Sequence, residues 1–278
     1  GGTTHICTDK TGTLTLNEMT VRRMVSAFGL RCRVTGTGYG LEGKILSPDG
    51  GEVPVMTEAY LAMVLCNDAS VTDGVLSGDP TEGALVVLAE KAGIDPVGAR
   101  AEHPRLAEVP FDSEYKFMAT FNTDRRIPDR TWCNVKGAPG VVLDLCTHFA
   151  GPDGVEPLTP EHRERVLSEV ELIADAGLRT LAVAGRPVED LPPSEPEQLR
   201  RAVTSLVLYA VVGIMDPPRR EAKEAIEEAR AAGIQVHMIT GDHLVTASAI
   251  AKDLGIPGEA VAGSALDELD GRQLQELV

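Results

Sequence analysis

The sequence has little basic charge, few aromatic residues and no long hydrophobic run. Asp and Glu number 42 against 26 Lys and Arg, the formal net charge is −16, and aromatic residues make up 4% of the 278 positions. Such an acidic balance excludes a broad basic face for nucleic acid or for an anionic membrane surface. The longest apolar stretches, around Leu206–Met215 and Ala59–Leu65, are too short to span a bilayer. We therefore expect a chain that is not inserted in a membrane and that meets any anionic ligand at a local site.

Cysteine and histidine are also scarce. The six histidines are scattered, and His237 and His243 flank a turn instead of sharing a helix face, so a transition-metal site is not expected. The five cysteines are widely spaced, without a CxxC pair or a signal peptide. This usage predicts reduced, mostly buried thiols in a cytosolic setting. The cysteines are Cys7, Cys32, Cys66, Cys133 and Cys146.

The two ends of the chain predict alternating strands and helices of the parallel α/β kind. Near the start, an apolar-leaning run over 5–8 closes at Asp9 and predicts a buried strand. Near the end, a helix over 219–232, a strand over 234–239 and a helix over 244–254 follow one another. In an open parallel sheet the ligand lies outside the carboxyl ends of the strands. The polar loops after the two strands are therefore expected to face one ligand.

The middle of the chain, residues 18–214, has a different pattern of apolar runs, turns and helices and predicts a domain of α+β type. This domain is a large insertion into a parallel-sheet α/β domain formed by residues 1–17 and 215–278. Two consecutive prolines stiffen the backbone at Asp216-Pro217-Pro218, which predicts the hinge where the chain returns. Within the insertion, apolar runs lie at 118–121, 133–135, 181–184 and 206–213, and helices are predicted over 58–65 and 80–92.

Asp9 is the only carboxylate in a loop of small and hydroxyl-bearing residues. Small residues after Asp9 let backbone N–H groups point at an anion, which a carboxylate would ordinarily repel. The conflict disappears if Asp9 attacks a phosphoryl group with Mg²⁺ between them, because aspartyl phosphate is a known intermediate and Mg²⁺ prefers carboxylate and phosphate oxygens. The alternative is that Asp9 caps a turn, as Asp-x-Thr-Gly often does.

The string Asp9-Lys10-Thr11-Gly12-Thr13-Leu14-Thr15 resembles the phosphorylation signature of the P-type ATPases, whose catalytic core is haloacid-dehalogenase-like. Three further motifs are similar to motifs of that family and follow in its order. They are Lys136-Gly137-Ala138-Pro139 of the nucleotide-binding domain, the hinge Asp216-Pro217-Pro218-Arg219, and the second phosphate loop Thr240-Gly241-Asp242.

The resemblance implies the chemistry of the two domains. The insertion would bind ATP, and Asp9 would accept its γ-phosphate, with Mg²⁺ held by Asp9 and Thr11. The catalytic group would be Asp9, Lys10 and Thr11, and the phosphate-binding group would be Thr11, Gly12, Thr240, Gly241 and Asp242.

The resemblance also assigns residues of the nucleotide site. Phe111 would stack on adenine, Glu82 would accept a hydrogen bond from its amino group, and Arg179 would reach the phosphates, for which a guanidinium fork is suited. The ordinary alternatives are core packing for Phe111 and a favourable helix-dipole contact for Glu82. The other assigned residues are Lys116, Lys136 and Gly137.

The motifs favour the calcium-like or sodium/potassium-like branch of the family, with departures. Ser113 and Tyr115 stand where this branch often has basic residues. The family's phosphorylation domain continues to a lysine and a Gly-Asp-Gly-x-Asn-Asp loop, neither of which precedes Val278. We therefore expect a fragment from the cytoplasmic face of a membrane-embedded pump, with the transmembrane and actuator domains of the same polypeptide as partners and little turnover of its own.

Two alternatives remain open. One is a soluble haloacid-dehalogenase-like phosphatase with a large cap, although such enzymes usually carry a second aspartate as general acid and base where this chain has Thr11. The other is a nucleotide-binding module without turnover.

Overall fold

The chain divides into two compact units in the computed structural model. Unit 1 comprises Gly1–Asn17, Asp175–Gly177 and Asp216–Val278, and unit 2 comprises Glu18–Ala174 and Leu178–Met215. The structure describes residues 2–51, 53–54, 56–123, 130–189, 195–242 and 244–266. His243 and the last twelve positions of the predicted 215–278 segment lie outside these ranges.

Unit 2 carries most of the secondary structure. Its strands are β2 (Thr20–Ser26), β3 (Arg31–Val34), β4 (Ile45–Leu46), β5 (Ser70–Thr72), β6 (Val75–Ser77), β7 (Arg105–Val109), β8 (Phe117–Thr123), β9 (Thr131–Gly137), β10 (Cys146–Gly151), β11 (Gly154–Pro157), β12 (Arg179–Val188) and β13 (Leu206–Met215). Its helices are α1 (Thr57–Leu65), α2 (Pro80–Lys91), α3 (Pro96–Glu102), α4 (Pro139–Leu145), α5 (Pro160–Asp175) and α6 (Pro196–Ala202).

A single large sheet organises unit 2. Its strand order is β4-β3-β2-β13-β12-β9-β8-β7, with antiparallel neighbours throughout. Strand β10 pairs in parallel with β13 and forms a hairpin with β11. The apolar runs predicted at 118–121, 133–135, 181–184 and 206–213 are central strands of this sheet, because runs apolar on both faces suit strands covered on both sides.

The core of unit 2 forms where α1 and α2 meet the sheet. Helix α1 packs against α2 and against β9, β12 and β13, and Met63, Leu85 and Ile214 are fully buried there. A helix that is apolar on most sides must be covered on most sides, which explains why six of the nine residues of α1 are buried. The helices predicted over 58–65 and 80–92 are thereby confirmed.

Among its described residues, unit 1 contains a two-stranded parallel sheet, β1 (His5–Asp9) with β14 (Gln235–Ile239), and three α-helices. The helices are α7 (Arg220–Ala231), α8 (Leu244–Leu254) and α9 (Gly263–Leu266). Gly233 and Gly255 follow α7 and α8 with φ of 78° and 75°, the left-handed conformation that ends helices and favours glycine. The predicted order of strand, helix, strand and helix is confirmed, and the whole chain is mixed α/β.

The prediction that residues 5–8 form a buried strand is wrong in its burial. These residues do form β1, but Ile6 is 39% exposed and Cys7 is exposed. Strand β14 is the only strand paired with β1 in the described part of the chain, so most of the β1 surface stays open. The other four cysteines are buried free thiols, as their spacing predicts.

No helix of the described residues has both the length and the apolar character needed to cross a membrane.

Candidate functional site

The loops after β1 and β14 begin side by side in unit 1. The two strands are parallel and in register, with Asp9 opposite Ile239, so Lys10 and Thr240 each open a loop at the same sheet edge. The carboxyl ends of parallel strands are where α/β proteins place ligand sites. Asp9 is exposed, and its carboxylate makes no hydrogen bond or ion pair with any described residue. The Asp9 carboxylate is therefore open to a ligand.

An ion pair between Lys10 and Asp242 connects these two loops. The Lys10 side chain is buried, with Nζ 2.6 Å from Asp242 Oδ2 and 3.8 Å from Asp216 Oδ2. A buried ammonium needs such partners, because desolvating an unpaired charge costs several kcal/mol. The sequence assigned Asp216 to the hinge and Asp242 to the phosphate loop. In the structure both carboxylates also pair with Lys10.

The remaining predicted phosphate-binding residues lie in the same two loops. Thr240 Oγ1 accepts a hydrogen bond from the Asp242 backbone N–H at 3.1 Å, which shapes the turn at Gly241. Thr11 and Gly12 are exposed in the loop after β1, and Gly12 has a φ of 72° that glycine adopts without strain. Every predicted phosphate-binding residue therefore follows one of two adjacent strand ends.

Thr15 and Asp216 make a contact that the sequence did not predict. Thr15 Oγ1 donates a hydrogen bond to Asp216 Oδ2 at 2.5 Å, and both residues are buried. The other carboxylate oxygen, Asp216 Oδ1, is buried without a hydrogen-bond partner among the described residues. In the sequence, the only indication of a role for Thr15 is its place as the last hydroxyl residue of the Asp9–Thr15 string.

Arg219, which follows the predicted hinge, donates hydrogen bonds to the predicted phosphate loop after β1. Its Nε donates to Thr15 O at 3.0 Å and its Nη2 donates to Gly12 O at 3.2 Å. Backbone hydrogen bonds from Leu16 N to Pro217 O and from Arg219 N to Leu14 O join the two passages of chain. The segment predicted to be a hinge is therefore anchored to the loop that carries Asp9.

The second group of predicted residues starts at the beginning of α2 in unit 2. Asp79 caps this helix, its Oδ1 accepting from Thr81 N at 2.8 Å and Glu82 N at 3.1 Å, and Pro80 occupies the first helical position. Glu82 therefore sits in the first turn, where the helix dipole favours a carboxylate.

Glu82 and Lys136 form a nearly buried ion pair. Lys136 Nζ lies 2.6 Å from Glu82 Oε1, and the side chains are 8% and 14% exposed. Lys136 also donates to the Cys66 carbonyl. Glu82 Oε2 accepts from the backbone N–H groups of Asp68 at 3.0 Å and Ala69 at 3.1 Å. A carboxylate offers about four acceptor positions, so Glu82 keeps about one, on Oε1, for a ligand.

Gly137 and Lys116 meet where β8 and β9 pair. A Cβ at Gly137 would lie 2.6 Å from the Lys116 carbonyl oxygen, so no other residue fits without backbone movement. Lys116 has a φ of 55°, and its carbonyl accepts from Ala138 N at 2.9 Å. The assigned Lys136, Gly137 and Lys116 therefore share one end of this strand pair.

Phe111 lies on the loop between β7 and β8 and is 62% exposed, which rules out the core-packing interpretation. The loop is shaped by Tyr115, whose ring lies 4.9 Å from that of Phe117 and whose hydroxyl donates to Pro110 O at 2.6 Å. Tyr115, a departure from the family pattern, thus supports the loop that presents Phe111.

Arg179 joins the residues at the start of α2. Its Nη1 lies 3.3 Å from Thr81 Oγ1, one residue before Glu82. The structure therefore brings Arg179, Glu82 and Lys136 to the same helix terminus. No hydrogen bond or ring contact of the described residues joins Phe111 to these three.

Comparison with known proteins covers almost all of the chain. Residues 56–221 match the family model described as P-type ATPase, cytoplasmic domain N. The chain is 39% identical to human calcium-transporting ATPase type 2C member 1 over 98% of its length and 29% of that protein. It is also 39% identical to cation-transporting ATPase pma1 of Synechocystis sp. and to calcium-transporting ATPase 1 of Lactococcus lactis, in each case over 99% of this chain and 30% of the relative.

The chain spans less than a third of the length of these relatives. The family match covers more than half of the chain and includes the residues around the start of α2 and on β8, β9 and β12 described above. Motifs, fold and relatives agree: the chain belongs to the P-type ATPase family and matches the model of its cytoplasmic domain N over residues 56–221.

Proposed function

We propose that this chain binds ATP through unit 2 and accepts its γ-phosphate on Asp9 of unit 1. In this proposal unit 2 is the nucleotide-binding domain, and unit 1 is part of a haloacid-dehalogenase-like phosphorylation domain. The observation that carries the proposal is the exposed carboxylate of Asp9, which pairs with no described residue and lies at the end of one parallel strand beside the Thr240-Gly241-Asp242 loop of its neighbour.

The ATP site is proposed at the start of α2. Phe111 supplies an exposed aromatic face for the adenine base, and Glu82 retains an acceptor for its amino group. Arg179 is exposed beside Thr81 and offers a fork for phosphate oxygens. Lys136 is buried against Glu82, so its main part is to hold that carboxylate, while Lys116 is exposed and free to approach a ligand.

Phosphoryl transfer is proposed as direct attack by the Asp9 carboxylate. A carboxylate oxygen forms a bond to the γ-phosphorus, the bond from that phosphorus to the β,γ-bridging oxygen breaks, and ADP leaves with the electron pair. Backbone N–H groups of Thr11 and Gly241 are suited to donate to the phosphoryl oxygens, while the Gly12 N–H donates to Thr15 Oγ1 at 3.3 Å. Water then hydrolyses the aspartyl phosphate.

Mg²⁺ fits the donors at this loop. Asp9 offers an unpaired carboxylate and Thr11 an exposed hydroxyl and carbonyl, the oxygen ligands that Mg²⁺ takes together with phosphate oxygens and water. We propose that Asp9 and Thr11 hold the ion, which would offset the negative charge between carboxylate and phosphate. Asp242 is engaged by Lys10 and is better placed to fix the loop than to bind the metal.

The longer protein is proposed to be a cation pump. The relatives named above are calcium- or cation-transporting ATPases, and a chain that binds ATP and accepts its phosphate would supply the energy for such transport at the cytoplasmic face of the membrane. The transmembrane and actuator domains of the same polypeptide would be its partners. A soluble phosphatase is less well supported because Thr11 lacks the carboxyl group needed as general acid and base.

Titration with ATP tests the nucleotide site. Replacing Phe111 with Ala should weaken ATP binding by roughly 1–3 kcal/mol if the ring stacks on the base. Leu106→Ala, a change at another exposed apolar side chain on the neighbouring strand β7, serves as the control and should leave the affinity unchanged. Unaltered ATP affinity in a Phe111→Ala, Glu82→Ala double variant would reject this site.

A further inference from the structure

A cleft of about 890 Å³ opens in unit 2 between strands β2–β4 and helix α5. Four arginines line it, with Glu169 as the only carboxylate among its lining residues. The chain as a whole carries a net charge of −16. The cleft therefore carries a local excess of positive charge, although the chain as a whole is acidic. The arginines are Arg22, Arg23, Arg31 and Arg33.

Two of the arginines stand directly opposite each other. Arg23 of β2 and Arg33 of β3 are cross-strand partners and therefore point to the same face of the sheet. Like charges in this arrangement destabilise a strand pair. Neither side chain makes a hydrogen bond or ion pair within the described part of the chain. Among the described residues, no carboxylate compensates the charge of this pair.

The other two arginines are held by the protein. Arg31 Nε and Nη2 donate to the two carboxylate oxygens of Glu169 at 2.8 and 2.6 Å, which ties β3 to α5. Arg22 Nη1 donates to the Gly36 carbonyl at 2.6 Å. These contacts fix the positions of Arg22 and Arg31 in the cleft. No described carboxylate pairs with the two opposed arginines, Arg23 and Arg33.

The geometry of the sheet explains how the cleft forms. The register between β2 and β13 shifts at Arg22, so that Arg23 pairs with Gly213 and Val21 with Ile214. Such a bulge redirects side chains. Helix α5 rests closely on β13, because a Cβ at Gly213 would lie 2.4 Å from Ile173 Cγ2. The helix thus covers β13, while Arg23 and Arg33 on the neighbouring strands stay exposed.

We propose that this cleft binds a small, soluble anion of the phosphate-ester or polyphosphate class, with Arg23 and Arg33 as its principal ligands. Guanidinium forks match phosphate oxygens in geometry and charge, and the volume lies within the range of small-ligand sites. No residue of the proposed ATP or phosphoryl site lines the cleft. A membrane headgroup is a poorer occupant, since the surrounding protein is strongly acidic.

Calorimetric titration of the 278-residue chain with inorganic pyrophosphate tests the proposal. Pyrophosphate should bind, and Arg23→Gln and Arg33→Gln should each weaken binding roughly 10-fold or more, as expected for loss of a charged hydrogen-bonding group. Arg201→Gln removes the same charge at an exposed helix position of unit 2, away from the cleft, and should bind as the parent does. Arg179→Gln removes the fork proposed for the ATP phosphates, so pyrophosphate binding that persists in this variant and is lost in Arg33→Gln lies at the cleft.

Thermal unfolding supplies a second readout that detects misfolded variants. Without ligand, Arg33→Gln should melt no lower than the parent, because it relieves repulsion with Arg23. Pyrophosphate should raise the melting temperature of the parent and of Arg201→Gln but not that of Arg33→Gln. Equal pyrophosphate binding by parent and Arg33→Gln, loss of binding in Arg179→Gln alone, or binding only to anionic vesicles or to an acidic peptide would overturn the proposal.

Discussion

Glu82 and Lys136 show at the residue scale how a charged pair can be buried and still leave room for a ligand. Each charge has protein partners: Lys136 has Glu82 and the Cys66 carbonyl, and Glu82 has two further backbone N–H groups. Full satisfaction of this kind makes a buried pair tolerable, and it makes loss of one member costly. The pair therefore determines the shape of the proposed adenine site as well as its charge.

Replacing Lys136 with Met should destabilise the chain by roughly 3–5 kcal/mol, because the Glu82 carboxylate would stay buried without its counter-ion. Urea unfolding monitored by circular dichroism measures this change. Adding Glu82→Gln should recover part of the loss, since the amide keeps an acceptor for the Asp68 and Ala69 N–H groups without a charge. Lys44→Met, at an exposed lysine, is the control; a Lys136→Met effect no larger than that of Lys44→Met would refute the coupling.

Cysteine reactivity should differ sharply between positions. Burial raises the pKa of Cys133 and of Cys146 to about 12, so both remain protonated thiols at neutral and mildly alkaline pH. Cys7 is exposed on β1. At pH 8 a maleimide reagent should label one thiol rapidly, and Cys7→Ser should abolish this fast phase. Rapid labelling of a second cysteine in the folded chain would contradict the burial described here.

At the scale of single elements, the N-terminus of α2 links helix stability to the proposed nucleotide site. Asp79 caps α2, and Asp95 caps α3 in the same way, each followed by proline at the first helical position. The first turn of α2 contains Thr81 and Glu82, which belong to the proposed nucleotide site, and α3 contains no residue of that site. The two caps can therefore be compared directly: Asp79 lies beside the proposed nucleotide site, and Asp95 caps a helix that contributes none of its assigned residues.

Asp79→Ala and Asp95→Ala should each lower the free energy of unfolding by about 1 kcal/mol through loss of a helix cap. Only Asp79→Ala should also weaken ATP binding, because it loosens the turn that holds Glu82. Chemical unfolding and ATP titration of both variants measure the two effects. Equal ATP affinity in the two variants would indicate that the start of α2 does not take part in nucleotide binding.

Elements with strong patterns could be predicted from the sequence, and the contacts between them could not. Helices α1 and α2 and the central strands follow from dense apolar runs, and α7, β14 and α8 follow from periodicity and glycine stops. Strands β2 and β3 escaped prediction because arginines interrupt their apolar residues, as the consecutive Arg22 and Arg23 do in β2. The exposure of β1 was also missed, since burial depends on what covers a strand.

The same limit applies to the candidate site. The motifs pointed to Asp9, Glu82 and Lys136 individually, but the pairing of Lys10 with Asp242 joins positions 232 residues apart. The support that Thr15 and Arg219 give to the phosphate loop likewise arises from tertiary packing. Local sequence records which groups are present, and their partners are decided by the fold.

At the scale of the whole molecule, the two proposed steps are divided between the two units. Unit 1 contains Asp9 and both proposed phosphate loops, and unit 2 contains the proposed adenine residues. The chain leaves unit 1 after Asn17, belongs to it again over Asp175–Gly177 and returns to it at Asp216. Each unit therefore supplies one half of the proposed chemistry, nucleotide binding in one and phosphoryl acceptance in the other.

Phosphoenzyme formation tests the central claim most directly. The longer ATPase that carries this segment, incubated with Mg²⁺ and ATP labelled in the γ-phosphate, should yield acid-stable label that hydroxylamine releases, as expected for an aspartyl phosphate. ATP labelled in the α-phosphate is the control and should give none. Asp9→Asn should abolish the label while ATP binding to unit 2 persists. Label that remains at the parent level in Asp9→Asn would contradict the role of Asp9 as phosphoryl acceptor.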